Sequence, residues 1–183
     1  NGYRPRYNIA PRQLHWIVRM KQGRRELLYA RWGLVNEWAA DDSRAGHQIN
    51  ARAETVAELS SYRSAFLSRR CIVPADGFFE WSGSKGKRIP HWFHRPNQGL
   101  LLFAGLYEAW RLEPGLSEST FTIITTAANT DCNGVHDRMP AILEAGAVDQ
   151  WLDCGEIPTD QRRALLVPAP NNLLVETRVS GRL

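Results

Sequence analysis

A glutamate on an aromatic stretch is the first residue whose setting suggests acid–base chemistry. Glu80 lies in Gly-Phe-Phe-Glu-Trp (residues 77–81), where strand alternation puts Phe78 and Glu80 on one face and Phe79 and Trp81 on the other. Burial among aromatic rings disfavours the charged form of a carboxylate and raises its pKa towards the range useful for proton transfer. An exposed glutamate on an edge strand is the alternative interpretation.

A histidine between charged residues is the second candidate. His136 stands in Val-His-Asp-Arg-Met-Pro (residues 135–140), where an imidazole next to a carboxylate suits acid–base catalysis or the orientation of a phosphate. A structural histidine satisfied by backbone hydrogen bonds would give the same pattern. Arg138 is suited to holding an anion, and pairing with Asp137 is an equally common use of such an arginine.

Three polar residues at alternate positions form a third candidate group. Asn50, Arg52 and Glu54 share one face if the chain is extended there. An amide, a guanidinium and a carboxylate in a row suit a polar site better than a core, although a solvated connection is the alternative.

Aromatic residues and a compact turn offer surfaces for nucleic acid. Asn8 and Pro11 belong to the turn Tyr-Asn-Ile-Ala-Pro, and Trp32 and Trp38 could each stack a base. The commoner role of a tryptophan is in the core, so the aromatic residues alone leave the partner open.

Metal and nucleotide cofactors are not expected. The sequence has no Walker loop, G-x-G-x-x-G or H-E-x-x-H motif, and His91 and His94 lack an obvious third ligand. Cys71, Cys132 and Cys154 form no C-x-x-C pair, so we expect reduced, partly buried thiols in a cytoplasmic protein.

The composition indicates a single globular domain with a moderate basic excess. The 183 residues are 43% hydrophobic and carry a net charge of +4, and no apolar run is long enough for a membrane span. No signal peptide is visible, although the chain opens with Asn1 rather than Met. Of the cations, 20 are Arg and 3 are Lys, which suits bidentate phosphate binding but would also follow from a GC-rich genome.

Strands outnumber helices among the elements that must position these residues. Apolar and β-branched patterns predict strands over residues 27–32, 71–75, 77–81, 91–95, 100–106, 120–128 and 173–179. A capping box at Thr55–Glu58 predicts a helix over residues 56–69, and shorter helices are predicted over 144–152 and 159–166. Residues 36–48 and 134–140 are predicted loops. The class is therefore α+β, one domain over residues 1–183, with a mainly antiparallel sheet that is curled or barrel-like.

Seven short segments, in this order, resemble the SOS response-associated peptidase (SRAP) family. They are Tyr7–Pro11, Arg31–Leu34, Ile49–Thr55, Cys71–Trp81, Phe103–Tyr107, Thr125–Asn129 and His136–Pro140. Each is weak alone, but together they span nearly the whole chain.

The resemblance implies a sensor of abasic sites in single-stranded DNA that acts as a monomer. Members of this family expose an N-terminal cysteine by self-processing, which then forms a thiazolidine with the sugar aldehyde. An associated lyase activity is also expected.

The resemblance also assigns roles to residues. It makes Glu80 the acid–base group, His136 the residue that protonates or orients the sugar oxygen, and Asn50 the residue that orients the N-terminus. The same resemblance implies that two arginines hold phosphates and that four further residues lie near the DNA or the pocket. These are Arg52, Arg138, Asn8, Pro11, Trp32 and Trp81.

One departure from the family pattern leaves other functions open. The family's opening Met-Cys-Gly-Arg is absent before Asn1-Gly2-Tyr3-Arg4, and we expect the missing segment to precede Asn1. A noncovalent single-strand binding module and a thiol peptidase acting on other proteins are the alternatives.

Overall fold

The chain forms an α+β fold of ten strands and three α-helices within the described residues. The computed structural model describes residues 6–84, 86–113, 115–153, 155 and 158–180. The strands are β1 Leu14–Lys21, β2 Arg24–Trp32, β3 Asn50–Arg52, β4 Arg70–Ala75, β5 Gly77–Ser82, β6 Ile89–His94, β7 Leu101–Glu113, β8 Leu116–Ala127, β9 Arg138–Pro140 and β10 Val175–Arg178. The helices are α1 Ser60–Ser68, α2 Val148–Leu152 and α3 Thr159–Arg163, with 3-10 turns at Ala45–His47 and Ala145–Ala147.

Five strands close into a barrel in the order β2-β1-β4-β7-β8. Neighbours along this order are antiparallel, and parallel pairing of β2 with β8, Trp32 opposite Phe121, closes the ring. The later part of β8 also pairs with β3 and with β9. The predicted curled, mainly antiparallel sheet is therefore confirmed.

A second sheet of three antiparallel strands, in the order β10-β6-β5, carries the segment with Glu80. Only Asp76 separates β4 of the barrel from β5 of this second sheet. Phe78 stacks on Phe93 at 5.3 Å between ring centroids and meets Phe103 of the barrel edge-on at 5.9 Å. These rings fasten the second sheet to the barrel next to the candidate site.

Two hydrophobic clusters stabilise the barrel. One joins the barrel to α1 and α2 and includes Phe66, Leu106 and Trp151, which are fully buried. The other lies towards the second sheet and includes Phe93 and Phe121. Fully burying each such side chain stabilises the fold by about 1.5–3 kcal/mol. The two clusters therefore hold the helices α1 and α2 and the second sheet firmly against the barrel.

The capping box predicted at Thr55–Glu58 is wrong. The helix begins at Ser60 after Leu59, and no side chain caps its first turn. Glu58 instead pairs with Arg163 at 3.2 Å, and tight turns over residues 53–59 bury Val56 completely. The side chain of Glu58 therefore contacts a residue distant in sequence and not the first turn of the helix.

Other boundaries also differ from those predicted. The structure adds β1, which the sequence did not single out, and forms the short β9 from the last residues of a predicted loop. Strands β7 and β8 run beyond the predicted segments because they pair with each other as far as Glu113 and Leu116.

Candidate active site

Glu80 occupies the half-buried, aromatic setting that its sequence predicted. Phe78 lies two residues earlier on the same face of β5 and packs against the core, whereas Trp81 on the opposite face is 42% exposed. Burial is the largest influence and raises the pKa of Glu80, while the nearby His136 acts in the opposite direction. A carboxyl group that holds its proton more tightly than usual is suited to general acid–base catalysis.

His136 lies close enough to Glu80 to interact with it electrostatically. The backbone N–H of Arg138 donates a hydrogen bond to His136 Nδ1 at 3.0 Å. A neutral ring held in this way carries its proton on Nε2, which leaves Nε2–H free to donate. Asp137 Oδ1 lies 3.4 Å from Nδ1, but its side chain is 90% exposed, so the backbone contact better defines the ring.

The loop that carries His136, residues 129–137, is tied to a segment further along the chain. The Asn129 amide donates to the carbonyls of Ala169 and Pro170 at 3.2 Å. The Asp131 carboxylate accepts the backbone N–H groups of Asn172 at 2.9 Å and Leu174 at 3.0 Å. Neither Asn129 nor Asp131 was predicted from the sequence to position the loop, although such residues commonly hydrogen-bond to nearby backbone in turns.

The polar face predicted for Asn50 and Arg52 is present on β3. Both residues are exposed while Ala51 between them is buried. Arg52 lies opposite Thr125 of β8, and Arg138 of β9 lies opposite Ala127 of the same strand. The two arginines therefore flank the end of β8 from its two edges.

Arg138 holds a protein carboxylate in the structure. Its guanidinium pairs with Glu54 in two hydrogen bonds, Nη1 to Oε1 at 2.7 Å and Nη2 to Oε2 at 3.0 Å. This hydrogen bonding lowers the pKa of Glu54. The partner is Glu54 rather than the adjacent Asp137, which the sequence had offered as an alternative.

The other candidate DNA-binding residues lie in different settings. Asn8 and Pro11 are exposed. Trp32 is half-buried, stacks on Phe121 at 6.3 Å and donates its indole N–H to the Ile49 carbonyl at 2.8 Å, so it supports the fold as well. Trp81 points to the opposite face of β5 from Glu80, and the structure does not bring these two side chains together.

The two described cysteines are poor nucleophiles. Cys71 and Cys132 are free and fully buried, more than the partial burial predicted. Burial raises the pKa of Cys71, and burial together with Asp131 and Glu80 raises the pKa of Cys132 to about 12. Both thiols therefore stay protonated near neutral pH. Cys154 lies outside the described residues.

The described residues contain neither a metal-ligating cluster nor a membrane-spanning helix. No group of three or more His, Cys, Asp or Glu side chains there is arranged to hold a metal ion. No helix among those described is long and apolar enough to cross a membrane.

The fold is an α+β barrel with a second sheet attached. That second sheet holds the half-buried Glu80 near His136, so the protein has a carboxylate–imidazole site. The chain belongs to the SOS response associated peptidase (SRAP) family, which it matches over residues 1–183. The expected family resemblance is thus confirmed.

Named relatives occur in bacteria and vertebrates. The chain is 40% identical over 167 residues to the abasic site processing protein YoaM of Bacillus subtilis, covering 91% of this chain and 74% of YoaM. It is 33% identical over 201 residues to the abasic site processing protein HMCES of Gallus gallus, covering 92% of this chain and 60% of HMCES.

Two solved structures share the fold. A protein of Bacteroides thetaiotaomicron superimposes with a TM-score of 0.84 at 27% identity, covering 93% of this chain and 75% of the other. A protein of Bordetella bronchiseptica superimposes with a TM-score of 0.78 at 30% identity, covering 94% and 86%.

Proposed function

We propose that this protein processes abasic sites in single-stranded DNA by capturing them covalently. The observation that carries the proposal is the half-buried Glu80, whose pKa is raised, within electrostatic range of His136. Family membership and relatives named abasic site processing proteins support the same conclusion. The nucleophile is the N-terminal cysteine that the family resemblance implies, exposed by self-processing.

The reaction needs several proton transfers, and the site contains groups suited to each. The α-amine of the cysteine attacks the aldehyde of the ring-opened sugar, and loss of water gives a Schiff base. The thiol then adds to the imine carbon and closes a five-membered thiazolidine. Glu80 takes a proton from the attacking amine and returns one to the departing water. A carboxyl group with a raised pKa suits this role because it exchanges its proton closer to cellular pH than an ordinary glutamate does.

His136 and Asn50 complete the acid–base group of the proposal. With Nδ1 accepting from the Arg138 backbone, His136 directs a proton on Nε2 towards the sugar oxygen. Asn50 is exposed at the start of β3, where its amide orients the N-terminal amine.

Arg52 and Arg138 supply positive charge for the DNA backbone. Both lie at the end of β8, one on each of its edges. Contacts of this kind position a strand without reading its sequence and weaken as salt increases. Asn8, Pro11, Trp32 and Trp81 are proposed to line the path of the strand around this centre.

The direct test incubates the full-length protein with a single-stranded oligonucleotide carrying one abasic site. A band of protein bound to DNA that survives heat and detergent is expected on a denaturing gel. Replacement of the N-terminal cysteine should abolish the band, and Glu80→Gln or His136→Gln should slow its formation by at least ~100-fold.

Matched controls separate this reaction from the alternatives. An oligonucleotide with an intact base should give no covalent band. Retardation of DNA on a native gel without any covalent product would overturn the proposal and favour a noncovalent binding module. Cleavage of unrelated polypeptides in place of cross-linking would instead favour a peptidase.

A further inference from the structure

A serine, a histidine and a glutamate form a continuous hydrogen-bonded relay across the second sheet. Ser82 Oγ lies 2.7 Å from His91 Nε2, and His91 Nδ1 lies 2.6 Å from Glu176 Oε1. The three residues come from β5, β6 and β10, which are adjacent strands. Such distances are those of a nucleophile, its base and the group that orients the base.

Strand register explains why the three side chains meet. His91 lies opposite Glu80 on one side and opposite Arg178 on the other. Ser82 and Glu176 each stand two residues from those positions, so their side chains point to the same face as His91. The relay therefore runs diagonally across three strands, and each link depends on the pairing of the sheet.

The relay opens onto a cleft. Ser82, His91, Glu176 and Arg178 line a depression of about 610 Å³, with residues 130–135 of the His136 loop on the opposite side. The His91 side chain is only 7% exposed, whereas that of Glu176 is 42% exposed. The base is thus shielded while the cleft remains large enough for a small ligand.

The order of atoms in the relay determines what it can do. Glu176 accepts from Nδ1–H of His91, which leaves Nε2 of the neutral ring as an acceptor for the Ser82 hydroxyl. A serine whose proton is directed to a histidine, itself oriented by a carboxylate, is an activated oxygen nucleophile.

We propose that Ser82 is the nucleophile of a second catalytic site that hydrolyses small carboxylic esters. Ser82 Oγ attacks the ester carbonyl carbon while its proton passes to His91 Nε2. The bond from that carbon to the alcohol oxygen then breaks, and the leaving alcohol takes the proton from His91. Water repeats the sequence on the acyl-serine and releases the acid. Arg178 lines the same depression and is the positive charge proposed to stabilise the oxyanion and the acid product.

The reacting groups of this site differ from those proposed for abasic-site chemistry, although the two sites adjoin, with His91 opposite Glu80 in the sheet. Ester hydrolysis requires neither the N-terminal cysteine nor DNA, and the hydrogen bonds of the relay do not include Glu80 or His136. The two sites share one face of β5, on which Glu80 and Ser82 are two residues apart. Failure of either activity can therefore be observed without the other.

The test uses a fluorophosphonate probe, which labels activated serines, together with p-nitrophenyl acetate as the ester. The full-length protein should be labelled at Ser82, as mapped by peptide mass spectrometry, and should hydrolyse the ester. Ser82→Ala should abolish labelling, and His91→Gln should slow both reactions at least ~100-fold. Ser84→Ala, an exposed serine two residues away, should leave both unchanged.

Mapping on the unaltered protein keeps the test independent of folding. Absence of labelling at Ser82, or labelling at Ser84 at the same rate, would overturn the proposal even if every variant misfolded. Labelling that persists at full rate in His91→Gln would overturn the relay, provided that this variant keeps the circular dichroism spectrum and melting temperature of the parent.

Discussion

Glu54 and Arg138 form a bidentate ion pair that joins the turn after β3 to the start of β9. The two bonds measure 2.7 and 3.0 Å, and the guanidinium side chain is only 19% exposed. In the proposed complex with DNA, Glu54 is a negative charge beside an arginine assigned to a phosphate. The pair therefore both orients Arg138 and competes with the ligand for it.

Replacing Arg138 and replacing Glu54 with uncharged residues should change the affinity for single-stranded DNA in opposite directions. Arg138→Ala should weaken binding and reduce the slope of log affinity against log salt by about 0.7, the change for one phosphate contact on a single strand. Glu54→Gln should strengthen binding a few-fold. Fluorescence anisotropy at several salt concentrations measures both changes.

The control for this pair is Glu37→Gln, because Glu37 forms a single ion pair with Arg111 in which both side chains are exposed. It should affect binding much less than Glu54→Gln. An unchanged salt slope in Arg138→Ala would show that Arg138 serves only to join the strands.

Removing the charge of Glu80 should stabilise the fold at neutral pH while it slows cross-linking. Burial raises the pKa of Glu80 in the folded state. The folded protein therefore holds that proton more tightly than the unfolded chain does, and stability is lost as pH rises through the raised pKa. Glu80→Gln avoids this loss, so its melting temperature should exceed that of the parent by a few degrees at pH 7–8.

The advantage of Glu80→Gln should disappear below about pH 4, where glutamate is protonated in both states. Differential scanning fluorimetry from about pH 3 to about pH 8 measures the effect, because this range extends below the ordinary pKa of glutamate. Glu113→Gln, at an exposed glutamate on β7, should show no comparable dependence on pH. A lower melting temperature for Glu80→Gln at pH 8 would contradict a carboxylate that is costly to keep charged.

Loosening the loop of His136 should reduce catalysis more than DNA binding. Asp131→Ala removes the acceptor of two backbone N–H groups from residues 172–174. Water can replace the acceptor of the exposed Asn172 N–H, but leaving the N–H of the buried Leu174 without a partner costs about 1–3 kcal/mol. We expect a slower cross-linking rate with nearly unchanged affinity for intact single-stranded DNA, because Arg52 and Arg138, the arginines proposed to bind phosphate, are not altered.

Single-turnover cross-linking and anisotropy measure these two quantities separately. Asp160→Ala, at an exposed aspartate in the first turn of α3, serves as the control. Equal loss of rate and affinity in Asp131→Ala would argue against a specific positioning role.

The glycine that opens β5 should not tolerate a side chain. A Cβ at Gly77 would lie 2.1 Å from Trp92 Nε1 and 2.6 Å from the Phe93 carbonyl oxygen. Overpacking of this kind typically costs 1–3 kcal/mol, or about 2–4 °C in melting temperature per kcal/mol in a chain of this length. Gly146→Ala, where the added Cβ meets nothing within 4 Å, should change the melting temperature far less. Similar melting temperatures for the two variants would exclude close packing as the role of Gly77.

Local patterns predicted seven of the ten described strands and the aromatic setting of Glu80, and they missed β1, β3 and β9. Alternation in Phe78–Trp81 identified which side chains share a face, and the β-branched run of β8 identified a barrel strand. These features depend on neighbours within a few residues, so they are visible in the sequence alone. The predicted cap at Thr55 is wrong because the helix begins only at Ser60, and Glu58 pairs instead with Arg163, more than a hundred residues away.

The sequence by itself determined the α+β class, the aromatic surroundings of Glu80 and the polar face of β3. Only the tertiary structure decided that Arg138 pairs with Glu54, that Asp131 holds the loop of His136, and that Ser82, His91 and Glu176 meet. These contacts join residues whose separation along the chain is large, apart from Ser82 and His91. Strand register and barrel closure set them, and no local pattern encodes which distant strands will pair.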